Sequence, residues 1–174
     1  MKKLALVALL GFFAFTTNTF ARIVVEPQVG YTFGTFDFND SAFENADFDG
    51  FNLGAKLYYE SYAWFAGVDY NYNKLKSKDL SDDLTNNEIG AIVGLNFARF
   101  FKIYGGYIFA NSPKAGSYKP DHKDGYKIGL SFLALRNIAI GAEYKKVSFK
   151  KESGQSSDPF YTGTTILVSF PFGN

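Results

Sequence analysis

Residues Ile23 to Gly34, IVVEPQVGYTFG, alternate almost without a slip. Ile23, Val25, Val29, Tyr31 and Phe33 fall on one side, and Glu26, Gln28, Gly30, Thr32 and Gly34 on the other. A period of two places successive side chains on opposite faces of a β-strand, here one apolar and one polar. A soluble barrel would turn the apolar face inward, whereas a membrane barrel would turn it out into lipid.

Seven further segments repeat the pattern: Phe51–Tyr59, Trp64–Tyr72, Glu88–Phe97, Lys102–Ala110, Tyr126–Phe132, Ile138 to about Lys146, and Thr162–Phe172. Long polar stretches, 37–50, 73–87, 111–125 and roughly 147–161, alternate with short turns at 60–63, 98–101 and 133–137. An up-and-down meander sends all its long connections to one rim, as outer-membrane barrels do with their extracellular loops. Segments of about 9–11 tilted residues are long enough to cross a bilayer.

Glycine decides which face is inside. Gly30, Gly34, Gly54, Gly67, Gly90, Gly94, Gly106, Gly129, Gly141 and Gly163 lie on the polar face, and only Gly105 on the apolar one. Glycine weakens a strand and marks places where space is short. The interior of an eight-stranded barrel is just wide enough for its own side chains. The polar face is therefore predicted to be the lumen and the apolar face to meet lipid, against the alternative of a lipocalin-like carrier. Tyr59, Trp64, Phe97 and Phe132 would form one aromatic girdle; Tyr31, Phe33, Tyr70, Tyr72, Phe109, Tyr126 and Tyr144 would form the other. The predicted fold is all-β, an eight-stranded antiparallel up-and-down transmembrane β-barrel.

Residues 1–21 read as a cleaved secretory signal peptide: Lys2 and Lys3, an apolar run from Leu4 to Phe15, then Thr19-Phe20-Ala21. The barrel domain would occupy 22–174, with no domain following it. Without the signal, 16 basic face 17 acidic residues, so no basic surface for nucleic acid is expected. The chain holds no cysteine, which removes disulfides and a thiol nucleophile.

Signal peptide, the opening strand VEPQVGYTFG, eight alternating segments and the closing strand TTILVSFPF together resemble the small outer-membrane β-barrel family, the OmpA/OmpX-like porin-family domain. The resemblance implies a monomer in the outer membrane of a Gram-negative-type bacterium, with a structural or cell-surface interaction role carried by its loops. A narrow passive pore for ions or small solutes is the alternative. Lipid-modifying enzymes and adhesins also occur in the family. Phe170 and Phe172 are similar to the terminal signal read by the barrel-assembly machinery, although Gly173 and Asn174 follow them.

Glu26, Lys56, Asp69, Glu88, Lys102, Lys127, Glu143 and Lys145 fall on the lumen face. Charges inside a narrow barrel must be paired or hydrogen-bonded, so they are expected to form either a rigid plug or a gated ion path. Lys74, Lys76, Lys78, Lys114, Lys119 and Lys123 lie in long connections, where they could contact lipopolysaccharide phosphates. His122, near Asp121, Asp124 and Ser117, is expected in a surface turn, without the rigid setting that a catalytic base needs. Asp37, Asp40, Glu44, Asp47 and Asp49 do not match the EF-hand spacing and are expected to be solvated. No cofactor or metal is expected. The interleaved Phe36, Phe38, Phe43 and Phe48 could cap the barrel mouth, pack on neighbouring loops or touch a partner.

Overall fold

The computed structural model describes residues 21–38, 45–77, 83–97, 100–115, 121–150 and 158–173. Nine strands follow in order: β1 (Arg22–Asp37), β2 (Ala46–Glu60), β3 (Trp64–Ser77), β4 (Leu84–Phe97), β5 (Phe101–Ala115), β6 (His122–Leu135), β7 (Ile138–Phe149), β8 (Phe160–Ser169) and the short β9 (Phe172–Gly173). From β1 to β8 each pairs antiparallel with the next, and β1 also pairs with β8, closing the barrel. β9 continues the line of β8 along β1, so eight staves form the wall.

The register fixes the shape. Starting at Arg22 and stepping strand to strand, the path runs through Glu60, Phe65, Gly94, Tyr104, Gly129, Glu143 and Thr165 and returns to β1 at Thr32. One circuit therefore climbs ten residues of β1. Eight strands with that stagger tilt by about 40° from the barrel axis, using a 3.3 Å rise and a 4.8 Å strand spacing. The outward residues from Ile23 to Phe33 then span about 25 Å along the axis, the height of an outer-membrane apolar band.

Within that span the two faces are as the alternation predicts. Val25, Val29, Leu53, Leu57, Val68, Val93, Leu95, Ile128, Leu130, Ile140 and Ile166 are exposed, while Glu26, Gln28, Lys56, Asp69, Glu88, Lys127 and Glu143 are buried. The lumen glycines stand where neighbouring rings need room. A Cβ at Gly94 would come within 2.5 Å of the Phe65 ring, and one at Gly129 would overlap the Tyr104 ring. At outward-facing Gly105 the nearest atom would be 3.9 Å away.

The strands run further outward than expected. Much of 37–50, 73–87, 111–125 and 147–161 is β-structure rather than loop. The alternation persists there with its polarity inverted: Phe36, Phe48, Leu75, Leu84, Val147, Phe149 and Tyr161 are buried in one inner cluster, while Asp47, Lys74, Lys76, Ser112 and Lys114 face out. Beyond the lipid the outer face meets water, so burial rewards apolar side chains on the inside. A search for greasy outer faces misses this part of the wall.

Two local features also depart from a plain meander. Ile89 lies opposite Ala110 and Gly90 opposite Ile108, so Phe109 is an extra, bulged residue. The bulge reverses the phase of β5 and turns Asn111 and Pro113 inward. The closing strand, expected to run unbroken from Thr162 to Phe172, is interrupted at 170–171. The Phe170 amide donates to the Pro27 carbonyl at 2.9 Å, but Pro27 has no N–H to return the bond.

Changing Gly129 to Ala is expected to destabilise the folded barrel by about 1–3 kcal/mol, the usual range for overpacking. Gly105→Ala should change stability by no more than about 0.5 kcal/mol. Urea titration of refolded protein in lipid vesicles compares the two.

Candidate functional site

The lumen is filled in layers. At the short-turn end, Glu60 takes ion pairs from Arg22 at 2.7 Å and Lys102 at 2.6 Å. Lys102 also donates to the Tyr58 hydroxyl at 2.8 Å. Tyr58 in turn donates to Glu26 at 2.5 Å, and Ser169 donates to the other Glu26 oxygen at 2.6 Å. Val24, Tyr58, Phe65, Ile92 and Tyr104 pack around these groups as an inner apolar cluster. A cavity from this rim reaches Glu26 and Ser131.

At mid-height Lys56 bridges Glu143 at 2.8 Å and donates to the Tyr104 hydroxyl at 2.9 Å; that hydroxyl donates to Glu143. Lys127 is paired with Asp69 and stands 3.8 Å from Glu143. Asn71 donates to Asp69 at 2.7 Å and accepts from Gln28 at 2.6 Å. One level further out, Lys145 pairs with Glu88 at 2.6 Å, and Asn86 donates to the same Glu88 oxygen at 2.8 Å. The cluster of Phe36, Phe48, Leu75, Leu84, Val147, Phe149 and Tyr161 closes the outer end, with Phe38 packed against it.

All eight charged residues expected on the lumen face, Glu26, Lys56, Asp69, Glu88, Lys102, Lys127, Glu143 and Lys145, line the interior. Arg22 and Glu60 join them unanticipated, one alternation step beyond Val24 and Tyr58. With these two, the described interior holds five cations and five carboxylates, of which Glu26 is held by the Tyr58 and Ser169 hydroxyls rather than by a cation. The Tyr58 and Tyr104 hydroxyls were also unanticipated, since an aromatic on a lumen face reads as filler until its neighbours are known.

The long-connection lysines behave differently from one another. Lys74, Lys76 and Lys114 point outward from strands β3 and β5 above the apolar band, with no ion-pair partner among the described residues. Lys123 is tied to Asp158 at 2.5 Å, and that hydrogen bond and charge hold its ammonium pKa above the ordinary value. Lys78 and Lys119 lie outside the described residues, as does Phe43. Of the loop aromatics, Phe36 and Phe48 cap the mouth from strand positions. His122 is not in a surface turn: it opens β6 and is half-buried, with Nε2 3.1 Å from the Ile108 carbonyl oxygen. The bulge at Lys123 lets it turn inward. No acidic or histidine cluster suited to a metal occurs among the described residues.

The family model for the outer membrane protein beta-barrel domain matches residues 4–172. The chain belongs to this family. Among solved structures it is similar to Neisserial surface protein A, with a TM-score of 0.56 and 19% identity over 86% of this chain and 97% of that one. It is also similar to Ail, the attachment invasion locus protein of Yersinia pestis, solved with the heparin analogue sucrose octasulfate. There the TM-score is 0.58 and the identity 16%, over 86% of this chain and 99% of Ail. At such identities the shared feature is the fold. No curated protein sequence matches the chain.

Removing one member of a buried ion pair leaves the other uncompensated, at about 3–5 kcal/mol. Lys127→Met is therefore expected to lower the unfolding free energy of the barrel in vesicles by that amount. The double variant Lys127→Met/Asp69→Leu should recover most of the loss.

Proposed function

We propose that this chain is a non-conducting outer-membrane barrel with a structural or cell-surface interaction role, presented on its outer head and loops. The observation that carries the reading is the filled lumen: among the described residues, five paired cations and five carboxylates run from the short-turn rim up to the apolar cluster that closes the outer end. An ion crossing it would have to part buried pairs in a low-dielectric interior and then pass packed Phe and Leu side chains. Rigid staves holding long polar connections suit recognition. In this reading residues 1–21 are a cleaved leader and 22–174 the barrel domain. Phe172 on the lipid-facing surface and Phe170 beside it remain the candidate signal for the assembly machinery. The protein acts as a monomer and without catalysis in this reading.

Lipid A phosphates lie just outside the apolar band. Lys74 faces Thr85 across one ladder and Thr85 faces Lys114 across the next, so the two lysines flank a hydroxyl on adjoining strands. This row would hold lipopolysaccharide at one side of the barrel, with Lys76 a little further out. The binding of a heparin analogue by Ail is a related case of a small barrel meeting a polyanion.

Planar-bilayer recording should give no steady single-channel conductance from the wild-type protein. A steady conductance that disappears in Lys56→Ala or Glu143→Ala would establish the pore instead. Lys74→Ser/Lys114→Ser is expected to reduce lipopolysaccharide retained by the refolded barrel several-fold; unchanged retention would remove the lysine row from the account.

A further inference from the structure

The wall is not uniform at its outer end. β5 and β6 pair from Phe101–Phe132 as far as Ile108–Gly125, and no pairing joins them beyond that point among the described residues. Each strand then follows its other neighbour. β5 stays on β4 as far as Leu84–Ala115, and β6 stays on β7 as far as His122–Phe149. Each strand also carries a bulge here, at Phe109 and at Lys123, so the two diverge. The described strands thus leave a slit in the ladder, a stretch without cross-strand bonds, beside the outward aromatics Tyr107, Phe109 and Tyr126. The His122 ring, close to the Ile108 carbonyl, spans its foot.

Behind the slit lies a layer of polar side chains short of partners. The Phe109 bulge aims Asn111 inward opposite Glu88, and neither amide atom of Asn111 has a hydrogen-bond partner among the described residues. Asn86 Oδ1, Asn73 Nδ2 and His122 Nδ1 are likewise buried and unpartnered. Asn73, Asn86 and Asn111 are 0%, 4% and 6% exposed. The Lys145–Glu88 pair lies beneath this layer and the Phe/Leu cluster above it. Buried polar atoms are almost always satisfied, by protein or by ordered water. The mixture of donors and acceptors suits water better than a bare cation, which takes oxygen ligands alone.

We propose that this layer is a blind, hydrated chamber, entered sideways through the β5–β6 slit at the level of the outer headgroups. It takes water and other small uncharged hydrogen-bonding molecules. The charge layers beneath it end the chamber, so it admits solvent to Glu88 and Lys145 without a path to the periplasmic side.

The chain has no cysteine, so a single introduced thiol is the only one that reacts. Asn111→Cys and Asn86→Cys would report on the chamber, and Gln28→Cys on the mid-lumen beneath the Lys145–Glu88 pair. Each is refolded into vesicles, checked for heat-modifiable migration, and treated with hydroxyethyl methanethiosulfonate, a small uncharged water-soluble reagent. Chamber thiols are expected to react at least ten-fold faster than the Gln28→Cys thiol. Should Asn111→Cys fail to migrate as folded, Asn86→Cys carries the comparison. Chamber thiols as slow as Gln28→Cys would overturn the chamber. Fast reaction at all three would overturn its blind end, and the non-conducting reading with it. Adding Ser112→Trp at the slit's edge should slow the Asn111→Cys reaction several-fold; an unchanged rate would overturn entry from the side.

Discussion

The structure depends on filling a narrow lumen with charge that sums to zero. Eight staves with a ten-residue stagger enclose a space that side chains alone can fill, and anything polar placed there leaves bulk water. Charges so placed stay ionised only beside opposite charges and hydroxyl donors. The Lys56–Glu143–Tyr104 and Lys127–Asp69 groups meet that demand, and their close fit sets where glycine must stand. The Tyr104 ring occupies the room over Gly129, and the Phe65 ring the room over Gly94. Glycine, ring and ion pair are therefore parts of one packing solution, spread over different strands.

The same wall obeys opposite rules in its two parts. Inside the bilayer the outer surface is apolar and the lumen polar. Above it the outer surface carries Asp47, Lys74, Lys76 and Lys114, and the lumen carries Phe36, Phe48, Leu75 and Phe149. Apart from the bulges in β5 and β6, the strands run on through this boundary; what changes for all of them is the outer solvent. The outer head is thus a small water-exposed barrel with an apolar core, standing on a lipid-exposed barrel with a polar core. That arrangement carries the described strand ends above the apolar band and packs the outer end of the lumen with apolar side chains.

Most of the membrane-embedded part was legible in the sequence because period and chemistry agree there. Strand count, antiparallel order, lumen face and the eight interior charges follow from alternation and from the side on which glycine falls. The outer head was not legible in the same way. Leu75 between Lys74 and Lys76 has the right period but the inverse polarity, and it reads as loop until the strand is known to have left the lipid. The bulges at Phe109 and Lys123 were hidden for a different reason. Each shifts the phase by one residue, which in a sequence looks like the end of a strand. His122 was misplaced for the same reason. The pairing of particular charges depends on register between distant strands, and alternation within a strand carries no information about it.

Nuclear magnetic resonance of the barrel in lipid nanodiscs, with one paramagnetic agent in the lipid and another in the water, tests the inversion of polarity directly. Lipid-borne agent should broaden the side-chain signals of Val25, Leu53, Val68, Val93 and Ile128. Signals of Phe36, Phe48, Leu75 and Leu84 should resist both agents, while those of Lys74, Lys76 and Lys114 respond to the aqueous one. Broadening of Leu75 and Leu84 by the aqueous agent, to the extent seen for Lys74 and Lys76, would contradict the sealed outer head and the closed lumen beneath it.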